Sequence, residues 1–355
     1  MFADIIMYNK RNSIPKMSLQ KISRISQKLA TQHKKKSFPY VKISTREAQQ
    51  EILNLKSMNY KDLISRQTGV IQFANNFKYR GKKMFMIQQS SIGNKISNKF
   101  FQKERMKASM ASHPSPLEVW RDDVKRARLF SGMIKLNKHS PSKNEAQLRS
   151  SMRLYFSVVS QFKVSVAKCV YEYFDANHVL DFSAGWGDRL TAFLSCEKTI
   201  SYTGFDPNTN LKKCYDELMT LHNTDKTVNM IYKPAEAVSL KRHYDMIFTS
   251  PPYFELEKYS NDKNQSHVKY SDLDNWFDNF LFKVLSHNLK YLKGTLALQI
   301  SDYKKGSKTI CLVKPLQTFM KENFANFTYK GYICVKTKGR FANTIVEPIF
   351  IWQNL

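Results

Sequence analysis

The second half of the chain alternates between short apolar runs and amphipathic segments, and this alternation limits the possible folds more than any other feature. The apolar runs predict strands, and the segments between them repeat apolar residues at helical spacing. Strands that alternate with helices form a parallel sheet covered on both faces. No helix separates the last two strands, which predicts a terminal antiparallel hairpin. The sequence therefore predicts an α/β fold with a mainly parallel, seven-stranded sheet. The predicted strands are 178–182, 200–205, 228–232, 245–248, 295–300, 327–335 and 344–352, and the predicted helices between them are 188–196, 208–221, 276–292 and 310–323.

A glycine-containing turn joins the first of these strands to its helix, in the segment DFSAGWGDRL at 181–190. Gly185 and Gly187 allow backbone to approach a ligand closely at the carboxyl edge of the strand. Asp206 follows the next strand, about 20 residues after Gly185, which suits hydrogen bonds to ribose hydroxyls. A dinucleotide fingerprint has a third glycine where this chain has Leu190. The turn therefore favours a nucleoside without a pyrophosphate, and a tight turn with no ligand is the alternative.

Positive charge is concentrated in the first 150 residues, which carry 31 Lys and Arg against 9 Asp and Glu, a net charge of +22. The remaining residues carry 26 against 20, a net charge of +6. Such an excess attracts a polyanion, and nucleic acid is the most common one. An anionic membrane surface and a solvated lysine-rich surface are the alternatives. The charge favours a nucleic-acid partner for the N-terminal part.

The N-terminal part divides into a basic arm and a more structured region. No Asp or Glu occurs between Asp4 and Glu47, whereas 11 Lys or Arg do. Such a segment is either a flexible arm that lies along phosphates or an organelle transit peptide, and both alternatives stay open. A helix over 45–66 follows, and then a basic stretch whose aromatic side chains either stack on bases or form a small core. We expect a flexible arm at 1–44 and a nucleic-acid-recognition region at 45–112, within an N-terminal region that is basic and mostly helical overall.

The remaining domain, 113–355, begins with two helical patterns at 117–136 and 145–174, ahead of the alternating part. No run in the chain approaches the roughly 18 apolar residues of a membrane helix, so we expect no membrane span. The five cysteines form no CxxC pair and the histidines show no metal spacing, so we expect neither a disulfide framework nor a bound metal. This cysteine usage favours a reducing, intracellular compartment, with nucleus, organelle and viral or host cytoplasm left open.

Three segments together resemble a known family: DFSAGWG at 181–187, GFDPN at 204–208 and FTSPPY at 248–253. They are similar to the motifs of class I S-adenosylmethionine-dependent amino-methyltransferases of DNA, of the viral and phage type that methylates cytosine N4 or adenine N6. The resemblance covers about residues 145–355 and implies a Rossmann-like class I methyltransferase fold with S-adenosylmethionine as cofactor. It also implies these cofactor contacts: Asp181, Ser183, Gly185 and Gly187 at the methionine part, Asp206 at the ribose, Glu236 at the adenine amino group, and Phe162 and Lys163 closing over the methionine end.

The tetrapeptide Ser250-Pro251-Pro252-Tyr253 follows the strand at 245–248 and is the predicted reactive site. An exocyclic amino group is a poor nucleophile because its lone pair is delocalised into the base. The Ser250 hydroxyl and the Pro251 carbonyl can accept hydrogen bonds from its two N–H groups, which favours a more tetrahedral nitrogen. The prolines stiffen the loop, and Tyr253 can stack on a base flipped out of its helix. A Pro-Pro turn that merely closes a strand is the alternative.

Three functions remain open on these observations. The first is a site-specific DNA methyltransferase that acts on cytosine N4 or adenine N6, with a slight preference for cytosine. The second is an RNA base amino-methyltransferase, since similar tetrapeptides serve RNA enzymes. The third is a nucleic-acid-binding subunit that has the fold without the activity. Glu255, Glu257, Lys258 and Tyr259 either border the target base or form a solvated loop.

Overall fold

The structure is a computed structural model that describes residues 17–65, 71–110, 113–136, 145–156, 158–337 and 345–354. The chain forms two compact units, one from Met1–Tyr40 with Ser112–Val158 and one from Val41–Ala111 with Val159–Leu355. This division differs from the predicted one at 1–44, 45–112 and 113–355. The reason is that much of the predicted recognition region folds into the α/β unit, whereas the helices that follow it fold with the N-terminal helix.

The described residues form thirteen α-helices and fourteen strands. The α-helices are α1 (Leu19–His33), α2 (Thr45–Ser57), α3 (Asn94–Arg105), α4 (Pro116–Arg121), α5 (Asp123–Leu136), α6 (Glu145–Tyr155), α7 (Val164–Tyr173), α8 (Asp188–Ser195), α9 (Lys212–His222), α10 (Ser266–Lys269), α11 (Leu273–Trp276), α12 (Phe282–Asn288) and α13 (Val313–Asn323). The strands are β1 (Ile64–Ser65), β2 (Gln72–Phe73), β3 (Lys83–Gln88), β4 (Ser109–Met110), β5 (His178–Asp181), β6 (Ser201–Phe205), β7 (Thr227–Ile231), β8 (Tyr244–Thr249), β9 (Glu257–Lys258), β10 (Leu292–Gln299), β11 (Tyr303–Lys305), β12 (Lys308–Ile310), β13 (Phe327–Lys336) and β14 (Ile345–Asn354).

The first unit is helical and is built from α1, α4, α5 and α6. The buried positions of α1 are Ile22, Ser26 and Ala30, whose spacing of four residues places them on one face. Arg126 of α5 is 1% exposed, and its Nε donates to the carbonyl of Ala30 at 2.9 Å. Part of the predicted flexible arm is thus an ordered helix, and residues 1–16 of that arm lie outside the described residues.

The second unit is organised by a sheet whose order is β1-β3-β13-β14-β10-β8-β5-β6-β7, with β2 paired to β14. Strands β10, β8, β5, β6 and β7 are mutually parallel. Strand β14 runs antiparallel between β10 and β13. The predicted α/β class, with a mainly parallel sheet and a terminal antiparallel hairpin, is confirmed.

The prediction of seven strands is too low, because β1, β2 and β3 extend the sheet to ten strands within the described residues. The stretch that contains them reads as basic and polar in sequence, yet Phe73 and Phe85 are only 7% and 3% exposed. Burial of these rings supports the core interpretation of the aromatics over stacking on bases. Helices α2 and α3 still contain more residues of this region than its strands do, and its role in nucleic-acid recognition stays a prediction.

The helix predicted over 145–174 is wrong in its middle, where α6 ends and an extended segment leads to α7. Gln161 in this segment donates from Nε2 to Ser97 at 2.6 Å and to Asp188 at 2.7 Å. These side-chain bonds, formed between residues far apart in sequence, hold the segment out of the helix and have no signature in the local periodicity.

Within the described ranges, no helix is long and apolar enough to cross a membrane. The same part of the chain brings no three His, Cys, Asp or Glu side chains together as a metal-binding group. The five cysteines, which all lie in described segments, are free thiols.

Candidate cofactor and target-base site

The predicted site residues lie at one edge of the sheet, where its parallel strands end. Strand β5 pairs with β6 on one side and with β8 on the other, so the chain crosses from one half of the sheet to the other at this point. A crevice for ligands forms outside the carboxyl ends of strands at such a switch point. The glycine turn follows β5, and the tetrapeptide follows β8.

The glycine turn adopts a backbone that favours glycine at two positions. Gly185 has φ 62° and Gly187 has φ 70°, both in the left-handed region. The carbonyl of Gly185 accepts a hydrogen bond from the hydroxyl of buried Tyr215 at 2.6 Å. A Cβ at Gly185 would meet only the Ser183 carbonyl oxygen, at 3.8 Å, so this face of the turn borders open space. The turn is therefore fixed from inside the protein, and its face at Gly185 is open.

Gly187 is required for a different reason, since a Cβ there would lie 2.7 Å from Cε2 of Phe101. We expect Gly187→Ala to lower the free energy of unfolding by about 2–4 kcal/mol, from left-handed strain plus overpacking. Gly185→Ala, which suffers only the backbone strain, is expected to cost about 1–2 kcal/mol. Urea unfolding of the two variants tests this, and equal losses would show that Phe101 does not restrict the turn.

Asp181, at the end of β5, is fully buried and is held entirely by protein donors. Its Oδ2 accepts from Nε of Arg189 and from the hydroxyl of Tyr202, both at 2.7 Å. Its Oδ1 accepts from Nη2 of Arg189 and from the backbone N–H of Ser183, both at 3.2 Å. These four bonds use the acceptor capacity of a carboxylate. Asp181 therefore positions the turn, and a direct contact to the cofactor would have to displace one of these donors.

Asp206 lies just beyond β6 and connects its loop to the glycine turn. Its Oδ2 accepts from the backbone N–H of Gly185 at 3.0 Å, and its Oδ1 accepts from that of Asn208 at 2.8 Å. Each oxygen retains a second lone pair, so both can still accept from a ligand hydroxyl. Burial raises the pKa of Asp206 to about 7, against the opposing effect of the two backbone donors. A partly buried carboxylate beside an open glycine face fits a ribose.

Glu236 lies in a short helical turn after β7 and is 6% exposed. Its Oε1 accepts from the ammonium of Lys269 and, at 2.7 Å, from the hydroxyl of Tyr270. No donor among the described residues reaches Oε2. This second oxygen is the acceptor that remains for a ligand amino group.

Phe162 and Lys163 lie in the extended segment before α7, rather than in a helix as predicted. The Phe162 ring packs edge-on against Phe248 at a centroid distance of 5.8 Å. The guanidinium of Arg189 lies over the same ring, 5.1 Å from its centroid. Phe162 thus joins the end of β8 to the charged pair beneath the glycine turn, and Lys163 occupies the N-cap position of α7.

The tetrapeptide is anchored to the end of β10. The Ser250 hydroxyl donates to the carbonyl of Gln299 at 3.1 Å, and the Tyr253 hydroxyl donates to the same oxygen at 3.4 Å. Pro251 is buried, and Pro252 and Tyr253 are partly exposed. A serine hydroxyl that donates its single hydrogen to a fixed carbonyl keeps two lone pairs as acceptors. This geometry suits Ser250 to accept an N–H from a bound amino group.

The segment after the tetrapeptide returns to the glycine turn. Tyr259 meets Trp186 of that turn edge-on at 5.5 Å between ring centroids, and its hydroxyl donates to Glu257. Strand β9, which lies in this segment, pairs antiparallel with β4. The Trp186–Tyr259 contact brings the predicted cofactor turn and the segment beyond the predicted reactive loop together.

Four residues of this arrangement were missed by sequence reasoning: Arg189, Tyr202, Gln299 and Glu347. Gln299 donates from Nε2 to Glu347 at 3.0 Å, so it joins the tetrapeptide to a carboxylate on β14. A glutamate within the apolar run of β14 was a usable signal, because a charge in a buried strand needs a partner or a function. The other three carry no such signal.

Comparison with known proteins finds only distant structural similarities. The chain matches no protein-family model and no curated protein. Among solved structures it is similar to TrmN from Thermus thermophilus, with 14% identity over 56% of this chain and 51% of that chain and a TM-score of 0.39. It is also similar to the N-methyltransferase NodS from Bradyrhizobium japonicum (10% identity, 54% and 92% of the two chains, TM-score 0.35) and to an rRNA methylase from Streptococcus thermophilus (11%, 56% and 99%, TM-score 0.35). The matched region is about half the length of TrmN. At these identities and TM-scores the likeness says nothing about substrate or site residues.

Proposed function

We propose that the protein is an S-adenosylmethionine-dependent methyltransferase that acts on an exocyclic amino group of a nucleic-acid base, with cytosine N4 or adenine N6 of DNA as the first candidates. One observation carries the proposal. The glycine turn with Asp206 and the tetrapeptide follow neighbouring strands at the switch point of the sheet, and Trp186 and Tyr259 bring their loops into contact. The motifs that resemble amino-methyltransferases of DNA are thus gathered at one edge.

The residues at this edge fit the cofactor. Asp206 offers two acceptors to ribose hydroxyls, and the open face of Gly185 leaves room for backbone approach. Oε2 of Glu236 can accept a hydrogen bond from the adenine amino group. When bound, S-adenosylmethionine supplies a methyl group on a sulfonium, which a nucleophilic nitrogen can take as the carbon–sulfur bond breaks.

The tetrapeptide contributes positioning. Ser250 Oγ and the Pro251 carbonyl accept hydrogen bonds from the two N–H groups of the target amino group. These bonds direct the nitrogen lone pair out of the base plane. The Ser250 contact with Gln299 fixes the hydroxyl before substrate arrives, so little reorganisation accompanies the reaction. Tyr253 provides a flat surface for a flipped base.

The first unit supports a polyanionic substrate. Its described residues include 13 Lys and Arg against 4 Asp and Glu. Lys21, Arg24 and Lys28 are exposed on α1, with Ile22 and Ala30 buried on the opposite side. Cations three and four residues apart lie on one face of a helix and can follow a phosphate backbone.

The raised pKa of Asp206 predicts a pH dependence of cofactor binding. The ionised carboxylate accepts from ribose hydroxyls better than the protonated acid, so affinity rises as pH increases through about 7. If only the ionised form binds, affinity rises about tenfold from pH 6 to pH 8. Calorimetric titration of wild type and Asp206→Asn tests this, because the ligand's own titration is common to both proteins. A wild-type to variant affinity ratio that stays constant with pH would remove Asp206 from the ribose site.

The proposal is tested by transfer of labelled methyl from S-adenosylmethionine to duplex DNA, single-stranded DNA and RNA. Wild type is run beside Asp206→Asn and beside Asp225→Asn, a matched change of an exposed residue in the loop before β7. We expect label in DNA, lost in the first variant and kept in the second. Label in RNA alone would make RNA the substrate in place of DNA. If wild type neither transfers label nor binds the cofactor, the proposal that the protein is a methyltransferase is wrong.

A further inference from the structure

Glu347 lies at the same edge of the sheet as the tetrapeptide. Strand β14 is antiparallel to β10, so its first residues lie where β8 and β10 end. Ile349 pairs with Gln299, the last residue of β10, and Glu347 is two residues further toward the edge. Residues two apart on a strand share a face. Glu347 and the Gln299 side chain therefore project to the same side.

A single residue connects this carboxylate to the proposed reactive loop. The side chain of Gln299 donates to Oε2 of Glu347 at 3.0 Å. The backbone carbonyl of Gln299 accepts from Ser250, the residue proposed to hold the target amino group. In the described part of the chain, no donor reaches the other oxygen of Glu347, Oε1. That oxygen is available to a ligand beside Ser250.

Burial and a neighbouring charge shift the pKa of Glu347 in opposite directions. Burial raises the pKa of Glu347, and the ammonium of Lys163 opposes the shift. Burial also raises the pKa of Glu257, and Glu347 contributes to that shift by like-charge repulsion. The phenol of Tyr253 lies close enough to both carboxyls for their charges to raise its own pKa, in addition to the effect of burial. Two carboxyls in one partly buried region favour retention of a proton.

The bases differ at the ring nitrogen next to the exocyclic amino group. On the Watson–Crick edge, this nitrogen accepts a hydrogen bond in adenine (N1) and cytosine (N3), whereas in guanine (N1) it carries a hydrogen and donates. A carboxylic acid donates to the first two, and an ionised carboxylate accepts from the third. The group opposite this nitrogen therefore selects between adenine or cytosine and guanine.

Resting on the proposed function, we infer that Glu347 is the specificity-determining residue that donates a hydrogen bond to the ring nitrogen beside the reacting amino group. Held by Gln299 through Oε2, it presents Oε1 to the base that Ser250 and Pro251 hold. The site accordingly accepts adenine or cytosine and rejects guanine. Glutamine at this position would donate from its amide at every pH.

The test compares Glu347→Gln with Glu347→Ala on oligonucleotides that contain only one base with an exocyclic amino group, between about pH 6 and pH 9. We expect wild type to methylate adenine or cytosine and Glu347→Ala to lose about tenfold or more in kcat/KM. The donating form of Glu347 is lost as pH rises through its pKa, so the wild-type rate falls there. Glu347→Gln is expected to keep its rate at high pH, and its activity relative to wild type rises with pH.

The controls separate this inference from the proposed function. Glu217→Gln, an exposed change on α9, is expected to match wild type, and both Glu347 variants are expected to bind the cofactor with unchanged affinity. Preferential methylation of guanine, equal losses in both Glu347 variants, or no loss in either would overturn the inference and leave the methyltransferase in place. Absence of transfer by wild type to every base would overturn both.

Discussion

Replacing Ser250 by alanine is expected to lower kcat for methyl transfer by about 10²–10³-fold while affinity for S-adenosylmethionine stays unchanged. The hydroxyl donates to the Gln299 carbonyl and so holds its lone pairs toward the bound amino group. Alanine removes one of two acceptors that act most strongly as positive charge develops on the nitrogen. The effect therefore falls on the transition state rather than on cofactor binding.

Single-turnover kinetics and calorimetry measure the two quantities separately. Ser57→Ala, an exposed change at the end of α2, is the matched control and is expected to behave as wild type. A Ser250→Ala protein with wild-type kcat would reduce the tetrapeptide to a strand-closing turn. A parallel loss of cofactor affinity would place Ser250 in the cofactor site.

The largest expected effect on stability comes from Arg189. Its guanidinium makes two hydrogen bonds to fully buried Asp181, and removal of one partner leaves a buried charge without compensation. We expect Arg189→Gln to lower the free energy of unfolding by about 3–5 kcal/mol, measured by urea denaturation. Since Arg189 also lies over Phe162, the same change is expected to disturb the glycine turn and weaken cofactor binding.

The double variant Asp181→Asn with Arg189→Gln provides the internal check, because it removes both charges together. It is expected to recover part of the lost stability. Lys198→Gln, which breaks the exposed pair with Asp175, is the surface control and is expected to leave unfolding unchanged. An Arg189→Gln protein as stable as wild type would show that water or another cation compensates Asp181.

The sequence predicted the central part of the fold because its signals are local. Alternating strands and helices from residue 178 onward specify a parallel sheet, and the segments without an intervening helix specify the hairpin of β13 and β14. Strands β1 and β2 escaped prediction because each has only two residues, and β3 escaped because it lies in a basic stretch. The burial of Phe73 and Phe85, and the pairing of β3 with β13 and of β2 with β14, become apparent only in three dimensions.

The candidate site likewise combines features that could be predicted from the sequence with features that could not. The glycine turn and the tetrapeptide are continuous segments, so their residue types and spacing could be recognised directly. The role of Gln299 could not be recognised in this way, because its contact to Ser250 joins residues 49 positions apart. Asp181 shows the opposite problem, since its type and position suggest a ligand contact whereas its acceptors are occupied by Arg189, Tyr202 and Ser183. Bonds between distant residues decide these roles, and local spacing does not record them.

The most direct measurement of the central claim is mass spectrometry of the nucleosides released from nucleic acid after incubation with the protein and S-adenosylmethionine. The expected product is a base methylated on its exocyclic nitrogen, formed by wild type and absent with Ser250→Ala. A methyl group on a ring carbon or on the sugar would contradict it. So would an unmodified substrate recovered from a protein that binds both cofactor and nucleic acid.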